Sequence, residues 1–163
     1  ELLDTPSQVA EPEQPKPLEN LKGHIRFQNV SFSYDDQRRI LDNVSFEVRP
    51  GELIGIVGRS GSGKSTVVNL VSRMYDTTAG RVTIDGVNVR DVDTRNLRRK
   101  IGVVLQEPFL FEGSIEENIA YGKPGADQEQ VLAAAKESSA HDFILRLRQG
   151  FRPCLSIPVQ RDR

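Results

Sequence analysis

One glycine-rich stretch constrains this chain more than any other part of its sequence. Its residues are Gly58, Arg59, Ser60, Gly61, Ser62, Gly63, Lys64, Ser65 and Thr66. The apolar run 53–57 precedes the stretch, and the apolar residues that follow it recur at helical spacing. A strand, a glycine loop and a helix in this order are the context of a phosphate-binding loop with the pattern Gly-x4-Gly-Lys-Ser. We refer to residues 58–66 as the phosphate loop.

The residue types in the phosphate loop explain how it could hold phosphate. Glycines let the backbone turn tightly and point successive N–H groups inward, which makes an anion-sized nest. A helix that starts near Lys64 adds unpaired N–H groups and the positive end of its dipole. Lys64 can reach terminal phosphates as a cation, and the Ser65 hydroxyl can hold Mg²⁺. The stretch therefore predicts nucleotide binding, and the alternative is a glycine-rich turn with a solvated lysine.

Composition and charge narrow the other classes of function. The chain has 163 residues, with 22 basic and 23 acidic side chains, so nothing in its net charge favours bulk nucleic-acid binding. No apolar run approaches the ~20 residues of a membrane span, and no signal peptide pattern opens the chain. The lone Cys154 excludes an intrachain disulfide and fits a reducing, cytosolic setting. The chain does not begin with methionine, so we expect a piece of a longer protein.

Alternating apolar residues predict an antiparallel strand layer in the first half of the chain. Residues 25–34 change phase at Gln28-Asn29, which predicts either a bulge or two strands that meet at a bend, and residues 44–48 form a further strand. Asp85-Gly86 predicts a type I′ hairpin turn with Ile84 opposite Val87 and Val82 opposite Val89. Residues 1–22 contain four prolines among Glu and Gln, a composition that resists packing and predicts a linker.

The remaining patterns predict helices and one further strand. The helix after the phosphate loop is expected to stop around residues 77–80, and Asp93 or Thr94 to cap a short basic helix. Residues 101–105 predict a buried strand with Gln106 at its carboxyl end, where open α/β sheets bind ligands. Ser114 begins a capping box, Asp127 can cap another helix, and residues 140–147 form a last one. These elements predict an α/β fold with an antiparallel layer and a helical annex.

Together these motifs resemble the nucleotide-binding domain of an ABC transporter, of the exporter type that carries its ATPase behind a membrane domain. The resemblance covers residues 2–151. The matching segments are Leu2-Leu3-Asp4-Thr5-Pro6, Phe27-x2-Val30-x-Phe32-x-Tyr34, Ile40-Leu41, the phosphate loop, Gly80-x5-Gly86, Leu97-Arg98, 101–106, Ser114-Ile115-x2-Asn118-Ile119 and 140–144. The implied fold is a P-loop NTPase core with an antiparallel β subdomain and a partial helical subdomain.

The resemblance also implies site residues, cofactors and partners. ATP and Mg²⁺ would be the ligands, with Tyr34 stacking on adenine beside Ile40, and Lys64 and Gln106 as the catalytic residues. Ser65 and Gln106 would hold the Mg²⁺, and Gln106 would also orient the attacking water. Phe109, Leu110 and Phe111 would dock on the membrane-spanning domain, although such apolar residues could instead tuck into the domain core.

The implied organisation divides the chain into three parts. Residues 1–22 would be the linker that leaves the membrane domain, and residues 23–151 a partial ATP-binding domain. Within this domain the family's Q-loop lies near residue 106, and the helical subdomain starts over residues 114–148. Residues 152–163 would be a tail outside the resemblance. In the complete parent, a second ATPase domain would close a nucleotide sandwich at the cytoplasmic face of the plasma membrane.

The sequence departs from the family pattern after Phe151. The Leu-Ser-Gly-Gly-Gln signature, the strand that ends in Asp-Glu and the switch histidine are not found in these residues. We therefore expect this chain alone to bind ATP·Mg weakly and to lack appreciable hydrolysis. We also expect the 53–57 strand to keep an unpaired edge, which favours aggregation. The Pro- and Arg-rich tail is interpreted as a frame change or a spurious end.

Two other classes of function remain alternatives. A non-hydrolytic module could bind nucleotide and dock to a partner through Phe109, Leu110 and Phe111. A kinase or GTPase could use the same loop, but Tyr34, Gln106 and the lack of an Asn-Lys-x-Asp guanine reader argue against that class. His141 and Cys154 have no partners at metal-ligand spacing and are interpreted as structural.

Overall fold

The computed structural model describes residues 9–35, 38–105, 109–147, 150–151 and 154–155, the last pair by backbone alone. The chain divides into two compact units, residues 1–102 and residues 103–163. Each unit is described by itself below.

The first unit is built on an antiparallel sheet. Its four strands lie in the order β2-β1-β3-β4. They are β1 (Ile25–Ser33), β2 (Arg39–Val48), β3 (Ala79–Ile84) and β4 (Val87–Asn88). Phe27 of β1 is buried and stacks on Phe46 of β2, with ring centroids 4.4 Å apart. The alternation of apolar residues in the sequence places these rings on the same inner face.

The predicted bulge in β1 is present. The register of β1 against β2 shifts between Phe27 and Val30, and Asn29 between them adopts a φ of 51°. Gly80 lies opposite this bulge with a φ of 73°, and an added Cβ would overlap the carbonyl oxygens of Asn29 and Gln28. Only glycine satisfies both the backbone angle and this close approach.

The predicted hairpin is confirmed at its turn. Asp85 and Gly86 have φ angles of 50° and 82°, and Ile84 pairs with Val87. The expected pairing of Val82 with Val89 is wrong, because β4 ends at Asn88 and the next residues form a 3-10 turn, Val89–Asp91. Val89 is still buried and belongs to the core of the unit, although it is not in the strand.

The helix after the phosphate loop, α1 (Lys64–Val71), is shorter than predicted. It ends before Arg73, whose backbone is left-handed at a φ of 51° and whose side chain is 2% exposed. The Arg73 guanidinium donates to Asp76 Oδ1 at 3.2 Å, to Val92 O at 2.9 Å and to Ala10 O at 2.6 Å. A buried cation is stable only when its donors are satisfied, and this set of acceptors fixes the chain reversal that stops the helix.

The expectation that residues 1–22 resist packing is wrong for the described part, residues 9–22. Leu18 is 2% exposed and joins the core of the first unit, and Val9 is also buried. The Lys16 N–H donates to Asp91 O at 2.7 Å, and the Glu11 carboxylate accepts from Thr94. Two apolar anchors and a few backbone partners are enough to order a segment whose overall composition is polar. We refer to residues 9–18 as the strap.

The strands predicted at residues 53–57 and 101–105 are not formed. In the described part of the chain neither segment is hydrogen-bonded into a sheet. Leu53 is 98% exposed, Val57 92% and Val104 100%. A strand requires a partner for its backbone groups, and apolar composition alone does not supply one.

The second unit is mainly helical. It contains a short pair of strands, β5 (Gly113–Ser114) with β6 (Cys154–Leu155), and helices α3 (Ile115–Ala120), α4 (Gln128–Glu137) and α5 (His141–Arg146).

The first unit also contains the short helix α2 (Thr94–Arg98). Asp93 caps this helix, as predicted, by accepting from Asn96 N at 2.7 Å.

The predicted caps of the second unit are confirmed. Ser114 Oγ accepts from Glu117 N at 3.0 Å, and Glu117 Oε2 accepts from Ser114 N at 2.6 Å. Asp127 caps α4 by accepting from Gln130 N at 2.8 Å. No helix in the described ranges is long and apolar enough to cross a membrane.

Candidate functional site

The phosphate loop lies between the exposed segment 53–57 and α1, and glycines determine its path. Gly61 and Gly63 have φ angles of 76° and 87°, a region that side-chain-bearing residues rarely adopt. A Cβ on Gly63 would lie 2.8 Å from Leu41 Cδ2 and 3.2 Å from Ile40 Cγ2. The loop therefore packs directly on the start of β2, and Ile40 lies beside it.

The start of α1 is open to an anion. Its N-cap, Gly63, has no side-chain cap hydrogen bond, and the first turn contains no acidic residue within the described structure. The helices α2, α3 and α4 differ, because each has a side chain that accepts from its first turn. A helix N-terminus with free N–H groups and no internal carboxylate attracts a negatively charged ligand.

Lys64 lies over the loop. Its Nζ donates to Gly58 O at 2.9 Å and to Arg59 O at 2.8 Å. These carbonyls hold the ammonium group beside the loop N–H groups. From this position the ammonium group can replace its hydrogen bonds to the carbonyls by hydrogen bonds to phosphate oxygens. The loop thus combines a point charge with backbone donors, which is the chemistry of a phosphate site.

The residues that follow Lys64 differ in accessibility. Ser65 is exposed, whereas Thr66 is 4% exposed. A Ser65 hydroxyl is the kind of oxygen ligand that Mg²⁺ prefers, and Mg²⁺ in nucleotide sites is usually held by one or two protein groups plus phosphates. The described residues contain no group of three or more His, Cys, Asp or Glu that could hold a metal by themselves. Ser65 offers one oxygen ligand of this kind next to the phosphate loop.

Tyr34 follows β1 and lies against α1. Its ring makes edge contacts with Phe32 and Tyr75 at centroid distances of 4.8 and 4.9 Å, and the residue is 49% exposed. Its hydroxyl is 3.1 Å from Thr66 Oγ1 and accepts from Asn69 Nδ2 at 3.3 Å. The predicted base platform and phosphate loop are thus neighbours in the first unit.

Sequence reasoning missed Asn69 and Tyr75 in this cluster. Asn69 lies three residues after Thr66, so the two side chains share one face of α1. That spacing was a usable signal for Asn69. Tyr75 carried no comparable signal, because its position depends on the chain reversal after α1.

Gln106, predicted to hold Mg²⁺ and water, lies outside the described residues. Phe109, Leu110 and Phe111 belong to the second unit and are exposed by 68%, 49% and 41%. Phe111 stacks on Tyr121 with centroids 4.1 Å apart, and the Asn118 side chain bonds both backbone groups of Phe111, at 2.8 and 3.0 Å. The alternative, in which these apolar residues are buried in the domain core, is not observed. The Asn118 side chain fixes the backbone of Phe111, and the rings of Phe109 and Phe111 remain partly exposed to solvent.

An apolar cavity of about 540 Å³ borders the phosphate loop on its β2 side. Leu41, Val44 and Phe46 line one wall, and residues 54–57 line another. Ser62, Gly63 and Lys64 also line this cavity, so its apolar walls adjoin the residues that are predicted to bind phosphate. His141 lies in the second unit, where Nδ1 is 3.0 Å from Asp142 Oδ1. Cys154 lies in β6.

Comparisons with known proteins show which family the chain is similar to. A family model described as ABC transporter matches residues 41–156. An ATP-dependent lipid A-core flippase of Syntrophus aciditrophicus is 40% identical over 150 residues, which are 92% of this chain and 25% of that protein. The beta-(1→2)glucan export ATP-binding/permease protein NdvA of Brucella suis is 43% identical over 151 residues, 93% of this chain and 25% of that protein.

A solved structure is also similar. The structure of a bacterial Atm1-family ABC exporter with ATP bound matches with a TM-score of 0.86 and 44% identity, covering 95% of this chain and 27% of that chain. The chain spans about a quarter of the length of the curated relatives that it matches.

Proposed function

Because the chain belongs to the ABC transporter family, whose model matches residues 41–156, we propose that its phosphate loop binds ATP together with Mg²⁺. In the complete parent, this binding would contribute to ATP-driven export across a membrane. The similar exporter structure is described as having ATP bound, which supports the choice of nucleotide.

One observation carries the proposal. Lys64 Nζ is held on two loop carbonyls, at 2.9 and 2.8 Å, beside the uncapped N-terminus of α1. The loop N–H groups would donate to oxygens of the β- and γ-phosphates, and Lys64 would move its ammonium from the carbonyls to phosphate oxygens.

The other site residues would complete the binding of the nucleotide. Tyr34 would stack on adenine, an interaction worth about 0.5–1.5 kcal/mol beyond the burial of area. Ile40 packs beside the loop and would contact the nucleotide from β2. The Ser65 hydroxyl and Gln106 would hold Mg²⁺, and the ion would neutralise charge on the bridged phosphates.

The exposed rings of Phe109 and Phe111, with Leu110, would dock on a membrane-spanning domain. The names of the curated relatives include permease and flippase, which supports a membrane partner. A second ATPase domain would complete the nucleotide sandwich. The domain would then lie at the cytoplasmic face of the membrane, with residues 1–22 as its linker.

A second candidate is a module that binds nucleotide without hydrolysis and acts by docking. The same exposed aromatic rings favour it, because they offer a partner surface that does not depend on turnover. Steady-state phosphate release by the complete parent protein separates the two candidates, because only the enzyme turns over ATP. Turnover by this chain alone that disappears in Lys64→Ala would contradict our expectation of no appreciable hydrolysis.

The binding proposal is tested by titrating ATP·Mg into the chain by calorimetry. Lys64→Ala removes the ammonium group and is expected to weaken the binding of ATP at least tenfold, since it deletes a charge-assisted contact. Lys136→Ala, an exposed lysine of α4, is the matched control and should bind like wild type. Equal affinity in Lys64→Ala and wild type, or no binding by either, would contradict the proposal.

A further inference from the structure

The hydroxyl of Tyr34 connects two segments that are far apart in the sequence. Tyr34 follows β1, whereas its partners Thr66 and Asn69 lie on α1. Thr66 is 4% exposed and belongs to the phosphate loop, so its position is fixed by the loop. The hydroxyl therefore ties the Tyr34 ring to the same helix that begins at the phosphate site.

Two aromatic neighbours hold the ring itself. Phe32 is 3% exposed, and Tyr75 is half-buried against the core. Both meet Tyr34 at an interplanar angle of 87°, an arrangement favoured by aromatic quadrupoles. About half of Tyr34 remains exposed, so the ring is held on one side and available on another.

We propose that Asn69 and Tyr75 are positioning residues that fix the Tyr34 ring at a set separation from the phosphate loop. This inference rests on the proposed function, because it concerns the base end of the same nucleotide site. A nucleotide has a rigid purine and a charged tail, and the two ends bind to segments from different parts of the chain. A ring already held in place before binding avoids the entropic cost of ordering it.

Asn69 is the more informative of the two residues to test. Its Nδ2–H is directed to the hydroxyl of Tyr34 at 3.3 Å, whereas Tyr75 also packs against the core. Replacing Asn69 by Ala removes this donor and leaves the phosphate-loop residues unchanged. The expected consequence is selective, because the base end of the site is loosened and the phosphate end is not.

Binding of ATP·Mg is compared with binding of magnesium tripolyphosphate, which lacks the base and ribose. Asn69→Ala and Tyr34→Phe should each weaken the binding of ATP about twofold to tenfold, the range expected for the loss of one neutral hydrogen bond. Asn69→Ala should leave the binding of tripolyphosphate unchanged, whereas Tyr34→Phe also removes the hydroxyl contact with Thr66 of the phosphate loop. The double variant should bind ATP no more weakly than Tyr34→Phe, because Tyr34→Phe already removes the contact that Asn69→Ala removes. Val68→Ala, an exposed neighbour on α1, should affect neither ligand.

Two outcomes would overturn the inference. Asn69→Ala could weaken ATP and tripolyphosphate equally, which would show a general effect on the loop. It could also leave ATP binding unchanged. If the wild-type chain binds neither ligand, the proposed function fails, and the inference is decided by a second measurement.

The second measurement is the NMR spectrum of the tyrosine rings. The chain has 3 tyrosines, and Tyr34→Phe identifies the Tyr34 signals by their loss. In Asn69→Ala the Tyr34 ring signals should shift, while those of Tyr121 in the second unit should not. Unchanged Tyr34 signals would overturn the inference whether or not nucleotide binds.

Discussion

Arg73 shows how one buried charge organises its surroundings. Its guanidinium has an acceptor from the strap, one from the loop after β4 and one from Asp76, and it is 2% exposed. Nothing in the sequence pattern distinguishes Arg73 from the exposed arginines, because its burial depends on three segments that meet only in the folded unit. Arginine suits the position, since its planar fork can serve several acceptors at once.

Arg73→Ala is expected to reduce the free energy of unfolding by about 3–5 kcal/mol, because it leaves buried acceptors without their donor. Urea denaturation followed by circular dichroism measures the change. Arg73→Lys should recover only part of the loss, since an ammonium group cannot span the same acceptors. Arg95→Ala, on the exposed side of α2, is the control and should change stability by less than ~0.5 kcal/mol. Equal stabilities for Arg73→Ala and Arg95→Ala would refute this role.

Asp85 forms part of a hairpin turn, and its carboxylate also accepts hydrogen bonds from a neighbouring backbone segment. Burial would raise the pKa of its carboxyl, but backbone N–H groups of His24, Lys22 and Gly23 donate to it and hold the pKa below the ordinary value of 3.8. Because the folded pKa is lower than the unfolded one, the carboxylate stabilises the fold above about pH 4. That contribution is lost as the pH falls from the unfolded pKa toward the folded one.

Wild type should therefore lose more stability than Asp85→Asn between pH 6 and about pH 3. Asparagine keeps the turn, because it tolerates the left-handed backbone, but it does not titrate. Denaturation midpoints at several pH values measure the difference. Glu137→Gln, at an exposed position of α4, should follow wild type. Parallel pH profiles for wild type and Asp85→Asn would show that Asp85 is not the group responsible.

At the scale of elements, the strap is the clearest difference between pattern and structure. Its proline and glutamate content predicts an extended linker, and local composition supports that prediction. The structure nevertheless places Leu18 in the core and pairs Lys16 with Asp91 through both backbone and side chain. The partners of the strap are contributed by residues more than 60 positions away, which no local pattern can identify.

Leu18→Ala should reduce the free energy of unfolding by about 2–5 kcal/mol, the cost of removing a buried leucine side chain. Glu13→Ala, an exposed position in the strap, should have little effect. Limited proteolysis adds a direct measurement, since wild type should resist cleavage within residues 9–18 and Leu18→Ala should not. Rapid cleavage of the wild-type strap would argue against its docking.

Elements that depend on neighbouring residues in the sequence are predicted more accurately than the strap. The Asp85-Gly86 turn, the bulge at Asn29 and the caps of α3 and α4 are confirmed where the sequence predicts them. The turn and the caps depend on residues within four positions of one another, and the bulge is marked by the local change of phase, although Gly80 of β3 is needed opposite it. The length of α1 is not predicted correctly, because its end depends on the burial of Arg73.

At the scale of the whole molecule, the predicted family and the P-loop ATPase fold are confirmed by the family match and by the TM-score of 0.86. The strands expected at residues 53–57 and 101–105 are not formed. Their apolar side chains are exposed next to backbone groups that no described strand pairs. Such segments favour association between chains.

The chain should therefore self-associate as its concentration rises. Leu53→Lys and Val104→Lys place a charge at side chains that are 98% and 100% exposed, and should reduce light scattering and the apparent mass. Val68→Lys is the control, because it adds the same charge on a helix whose backbone is already paired. Association that is the same in all four proteins would mean that these segments are not responsible.

The sequence by itself determined the phosphate loop, the class of fold, the turns and the caps, because these depend on residue types at short, fixed spacing. The tertiary structure decided that Arg73 ends α1, that the strap is ordered and that Asn69 meets Tyr34. It also decided that two apolar runs remain outside the sheet. These outcomes depend on which distant segment offers a partner for a buried charge, a hydroxyl or a strand edge. A local pattern in the sequence shows that a segment needs a hydrogen-bonding or packing partner, but which distant residues provide that partner is decided only in the folded chain.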